Sequence, residues 1–129
     1  MEILRWKTRI AVLWLFMAVA MSAHSLLAAM VPGAEEEMAE MALGPGMLLF
    51  FALFWWVPLV MAVLSLSLKD SANRWTNFIL GIIFTLLNIF HLTEHFAQPS
   101  VHQILIVGST VVVTGLIAWY AWKWPKQEA

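Results

Sequence analysis

The stretch Ile10–Met30, IAVLWLFMAVAMSAHSLLAAM, decides the fold. A helix needs about 20 mostly apolar residues to cross the hydrocarbon core of a bilayer. This run meets that length and carries no Asp, Glu, Lys or Arg. Pro32 and Gly33 stop it. The basic start at Arg5, Lys7 and Arg9 gives it the look of a signal peptide. The apolar run, however, exceeds the about 7–15 residues of such a segment. It reads as an uncleaved first spanning helix.

Working outward, the same reading repeats three times. A second span covers about Met47–Leu68, opened by Gly44, Pro45 and Gly46, with Pro58 inside it. A third covers about Trp75–Phe96. After a break at Pro99, a fourth covers about Val101–Trp122, and Pro125 ends it. The apolar runs are continuous and lack the period-2 alternation of a membrane barrel. The links are short, so consecutive helices should be antiparallel neighbours. The expectation is an all-α chain: one integral membrane domain over residues 1–129, folded as a four-transmembrane-helix antiparallel up-down bundle.

Composition agrees. Of 129 residues, 62% are hydrophobic and 12% charged, and the mean hydropathy is +0.82. Soluble domains are about half apolar and about a quarter charged. A lipid bilayer is therefore the expected surrounding. There is no cysteine, which excludes disulfides, iron–sulfur clusters, thiolate zinc sites and thiol redox chemistry.

The placement of charge matters more than its sum of −1. Arg5, Lys7 and Arg9 precede the first span, Lys69 and Arg74 lie between the second and third, and Lys123 and Lys126 follow the fourth. The two remaining links hold no Lys or Arg. The positive-inside rule then places both termini and the middle link in the cytoplasm. Trp6, Trp75, Trp119, Trp122 and Trp124 gather at the same end, as interfacial indoles do. Trp14, Trp55 and Trp56 lie deeper, against lipid or neighbouring helices. With the basic residues at the membrane interface, nucleic-acid binding has no support.

The opposite end is acidic and rich in imidazole. It holds Glu35, Glu36, Glu37, Glu40 and Glu94, and all four histidines fall in its half of the chain: His24, His91, His95 and His102. In His91-Leu92-Thr93-Glu94-His95 two imidazoles stand at i and i+4, where side chains on a helix are about 5–6 Å apart. That spacing lets both reach one metal ion. Thr85 and Asn88 continue the stripe inward, and polar residues at membrane depth are functional candidates. Glu94 completes an H-x-x-E-H pattern, in which two histidines bind zinc and the glutamate is general base. A third ligand is required, with His24, His102 or a loop glutamate as candidates.

Several readings stay open. Imidazole suits zinc, copper, iron or nickel, so the leading function is a small membrane protein binding a ligand at this end. That ligand is a metal ion or a lipid-like molecule. A metal-dependent membrane enzyme using His91, Glu94 and His95 is the second. An accessory or structural subunit of a larger complex, or a homo-oligomer, is the third. A haem between His24 and His91 or His95 is a weaker cofactor alternative than a divalent metal. The plainest reading is a water-exposed helix end and a solvated acidic turn, with Glu35–Glu40 as a short surface helix.

Three segments carry a resemblance: Leu43-Gly44-Pro45-Gly46-Met47; Ala72-Asn73-Arg74-Trp75 with Asn77 and Gly81; and Trp119-Tyr120-Ala121-Trp122-Lys123-Trp124-Pro125. The chain resembles a family of small bacterial four-helix integral membrane proteins of unknown function. The resemblance implies that fold and a bacterial inner (plasma) membrane location. It implies no activity or site residues.

Overall fold

The computed structural model describes residues 1–125; Lys126 lies outside them. Among the described residues there are five helices and no strand. They are α1 (Glu2–Ala29), α2 (Ala34–Glu40), α3 (Pro45–Ser67), α4 (Asp70–Ala97) and α5 (Val101–Trp122). All but α2 are long and apolar enough to cross a membrane.

Local chemistry explains the boundaries. Gly33, at φ 87°, supplies the left-handed turn between α1 and α2. Glu35, Glu36 and Glu37 occupy the first turn of α2, where negative charge favours the helix dipole. Pro45 begins α3 at a position whose N–H has no partner in a helix. Pro58 sits buried inside α3, and the helix continues past it to Ser67. α1 and α4 start earlier than their apolar runs. At 1.5 Å per residue each is about 42 Å long, against a hydrocarbon core of about 30 Å. The surplus turns of α1 carry Arg5, Lys7 and Arg9.

The four long helices follow a ring order. α4 packs on α5, α5 on α1 and α1 on α3, whereas α3 and α4 barely touch. The core sits on α1: Ile10, Trp14 and Met17 are wholly buried, with Ile117 of α5, Met61 of α3 and Phe84 of α4 around them. The Trp14 ring meets Phe84 edge-on at 5.4 Å. α4 and α5 approach closely at Gly81, where a Cβ would stand 2.8 Å from the Ala118 backbone nitrogen. Outward faces stay apolar, as with Leu86 and Phe90 of α4 and Leu105 of α5. Such a surface suits hydrocarbon and would be an aggregation hazard in water.

A buried polar network locks the basic end. Trp14 Nε1–H donates to Asn77 Oδ1 (2.6 Å), and Ser65 Oγ–H donates to the same oxygen (3.1 Å). Asn77 Nδ2 donates to Asn73 O (2.9 Å) and Asn73 Oδ1 (2.6 Å), and Asn73 Nδ2 donates to Ser65 O (2.6 Å). These bonds tie α1, α3 and α4 together where no water competes. Beyond them Lys7 Nζ pairs with Asp70 (3.1 Å) and donates to Leu68 O (2.8 Å). Trp6 Nε1–H donates to Tyr120 O (2.8 Å), and the Arg9 guanidinium lies 5.7 Å from the Trp6 ring centroid. Trp14, which the sequence places against lipid or a neighbour, is a core residue with its N–H satisfied inside the protein.

Candidate metal centre

At the opposite end three helices converge. His24 stands five residues before the end of α1, and His91 and His95 occupy the last turns of α4. Gln103 lies in the first turn of α5. The i, i+4 spacing stacks His91 and His95 on one helix face. Packing of both α1 and α4 on α5 then brings His24 over them. The ring centroids form a near-regular triangle: His24–His91 4.6 Å, His24–His95 5.2 Å and His91–His95 5.0 Å. One nitrogen from each ring lies within 4.8 Å of the other two, and all three residues are half-buried.

The nitrogens point at one another. His91 Nε2 and His95 Nε2 are 3.3 Å apart. Two nitrogens bound to one tetrahedral ion at about 2.0–2.1 Å stand about 3.3–3.4 Å apart by trigonometry. That separation matches the bite of a metal ion, and it is equally that of an N–H···N hydrogen bond between the two rings. His24 is fixed from α5. Gln103 Nε2 donates to the His24 carbonyl (3.1 Å), which turns Gln103 Oε1 toward His24 Nδ1 (2.6 Å). An amide oxygen only accepts, so Nδ1 carries the proton and Nε2 keeps its lone pair for a ligand. Metal-ligating histidines are commonly oriented in this way.

The triangle borders the outer surface through His95. His95 and Gln103 line an open cleft of about 560 Å³ together with Glu37, Glu94 and His102. Inward lies a second polar step. Asn88 is fully buried, and its Nδ2 donates to Thr114 Oγ1 (3.4 Å) and Met17 Sδ (3.5 Å). Thr85 Oγ1 donates to Gly81 O (2.6 Å) and sits 3.1 Å from Thr114 Oγ1. Asn88 Oδ1 has no hydrogen-bond partner.

Of the residues singled out from sequence, His24, His91 and His95 come together. Glu94 is exposed at the cleft and stands outside the trio. The H-x-x-E-H spacing delivers two imidazoles to one point, and it delivers the carboxylate to the rim. His102 is exposed and lies beside Ser100. Asn88 continues the stripe one turn below His91. Glu35, Glu36, Glu37 and Glu40 lie on α2, and Met38 on that helix and Met41 just after it are exposed.

Sequence reasoning missed Gln103, Ser65 and the pairing of Trp14 with Asn77. Gln103 had one visible sign, a polar residue among the apolar ones of α5. No curated protein and no solved structure matches the chain. The whole of it, residues 1–129, matches one family model, and the chain belongs to that family of unknown function, DUF6326.

Proposed function

We propose that this is a small bacterial inner-membrane protein that binds a transition-metal ion through His24, His91 and His95 at its extracytoplasmic end. The observation that carries the reading is the mutual approach of three imidazole nitrogens, two of them at metal-bite separation and the third with its tautomer set. Three protein ligands with one open position is the pattern of sites that exchange a ligand. Glu37 and Glu94 on the cleft attract cations from water and lead them to His95.

The reading includes an antiparallel up-down bundle with both termini in the cytoplasm. Its support is the collection of Arg5, Lys7, Arg9, Lys69, Arg74 and Lys123 at one end. The pairing of Trp6 with Tyr120 and of His24 with Gln103 adds to it, since opposite ends of α1 and α5 meet.

The test is metal analysis of the full chain purified without a histidine tag. About one equivalent of metal per chain is expected, lost in His91→Ala with His95→Ala. Less than about a tenth of an equivalent after metal loading, unchanged by those substitutions, would reject the reading.

A further inference from the structure

Of the cations on α1, Lys7 is occupied within the protein, paired with Asp70 and donating to Leu68 O. Arg5 and Arg9 are not. Both are exposed, and among the described residues neither side chain forms an ion pair or a hydrogen bond. They stand at i and i+4, on one face of the helix. Arg9 is oriented by aromatic rings, its guanidinium 5.7 Å from the Trp6 centroid and 6.0 Å from that of Tyr120. Trp6 is fixed in turn by its bond to Tyr120 O (2.8 Å).

Both arginines line an open cleft of about 410 Å³, together with Met1, Leu4 and Thr8. No acid lines it. Thr8 Oγ1 donates to Leu4 O (2.8 Å), so its proton is engaged within the helix and the guanidiniums are the side-chain donors that face a ligand. A guanidinium is a planar fork of N–H groups that matches the oxygens of a phosphate.

Depth fits a lipid headgroup as well. α1 exceeds the hydrocarbon core by about 12 Å, or about eight residues, and its surplus turns hold Arg5 and Arg9. Beyond Arg9 the same face turns apolar. Val12, Phe16 and Val19 follow at spacings of three, four and three, and all are exposed. From Arg9 to Val19 is about 15 Å, half the hydrocarbon thickness and so the depth of one leaflet.

We propose that Arg5 and Arg9 bind the phosphate of one anionic phospholipid, with an acyl chain lying along Val12, Phe16 and Val19. The two guanidiniums take the two free oxygens of the phosphodiester. The cleft has no carboxylate to hold an ammonium group, so a headgroup of net negative charge is preferred to a zwitterionic one. The site is separate from the three histidines and does not rest on the metal-binding reading.

The test is native mass spectrometry of the full chain in a neutral detergent, titrated in parallel with phosphatidylglycerol and phosphatidylethanolamine. One phosphatidylglycerol per chain is expected, held about tenfold or more tighter than phosphatidylethanolamine. Arg5→Gln alone, which leaves the ring contacts of Arg9 in place, should weaken phosphatidylglycerol by about fivefold. Arg5→Gln with Arg9→Gln should abolish the preference. Lys69→Gln with Lys123→Gln removes the same charge from exposed residues at the same end and should keep the affinity within about twofold. Phosphatidylglycerol should raise the unfolding temperature of the wild type and leave that of the double arginine variant unchanged.

Equal retention of the two lipids would overturn the proposal. So would equal losses in the lysine and arginine variants, which would reduce the effect to the general charge of that end. Displacement of phosphatidylglycerol by an equal concentration of inorganic phosphate would assign the arginines to a free anion and overturn the lipid site.

Discussion

Gln103 grips His24 from two sides, donating to its carbonyl at 3.1 Å and accepting from its Nδ1 at 2.6 Å. One side chain of α5 thereby sets both the position and the tautomer of an imidazole on α1. Gln103→Leu should leave the three histidines present and weaken metal binding by about 10–100-fold, the usual effect of losing such a support. Gln103→Glu keeps an acceptor for Nδ1 and should bind more tightly than the leucine variant. Competitive metal titration decides it, and equal affinity in all three proteins would remove Gln103 from the site.

Asn77→Leu should act at the other end. It strands Trp14 Nε1 and Ser65 Oγ, both of which donate to Asn77 Oδ1. A buried donor left without a partner costs about 1–3 kcal/mol. The loss is expected in denaturant or SDS titrations in mixed micelles. Trp14 is ten residues from His24, about 15 Å along the helix, so metal affinity should stay within about twofold. A large affinity change would mean that the two ends are coupled.

Gly81 and Gly115 make a matched comparison. A methyl group at Gly81 would meet the Ala118 backbone, which has no room to yield, whereas one at Gly115 meets nothing within 4 Å. Gly81→Ala should destabilise by about 1–3 kcal/mol through separation of α4 from α5. Gly115→Ala should be neutral or gain up to about 1 kcal/mol from reduced backbone entropy. Thermal unfolding in one detergent checks both, and a stable Gly81→Ala would contradict the close approach.

The chain lacks cysteine, so single cysteines report sidedness cleanly. Glu36→Cys on α2 should react with a membrane-impermeant maleimide added to intact cells, after the outer membrane is opened. Ser71→Cys, exposed at the start of α4, should react only once the inner membrane is lysed. The reverse pattern would invert the proposed orientation.

The apolar helices were legible in the sequence because hydrocarbon solvation depends on composition summed along a segment, which needs no tertiary knowledge. His91 and His95 were legible as a pair for a related reason: one helix holds both, and its period fixes their spacing. Their third partner was not. His24, His102 and the loop glutamates were equal candidates, and only the seating of α1 against α4 and α5 separates them. The Asn73–Asn77 pair carried the same i, i+4 signal as the histidines. Its partners, Trp14 and Ser65, come from two other helices, and no local pattern marks them. Gly81 belongs to a segment that carries the family resemblance, and its reason is the backbone of Ala118 on the facing helix.

The ring order of the long helices has a mechanical consequence. Four rods joined along their edges form a frame that shears unless a diagonal is braced. Here the edge between α3 and α4 is nearly open, and α1 faces α4 across the diagonal. At the basic end a permanent strut, Trp14 to Asn77, spans that diagonal. At the histidine end the crossing is made by His24 meeting His91 and His95 in ring contacts, with the weak Asn88 to Met17 Sδ bond one step below them. One end of the frame is pinned, and on the proposed reading the other is a clasp that a metal ion between the three imidazoles would tighten.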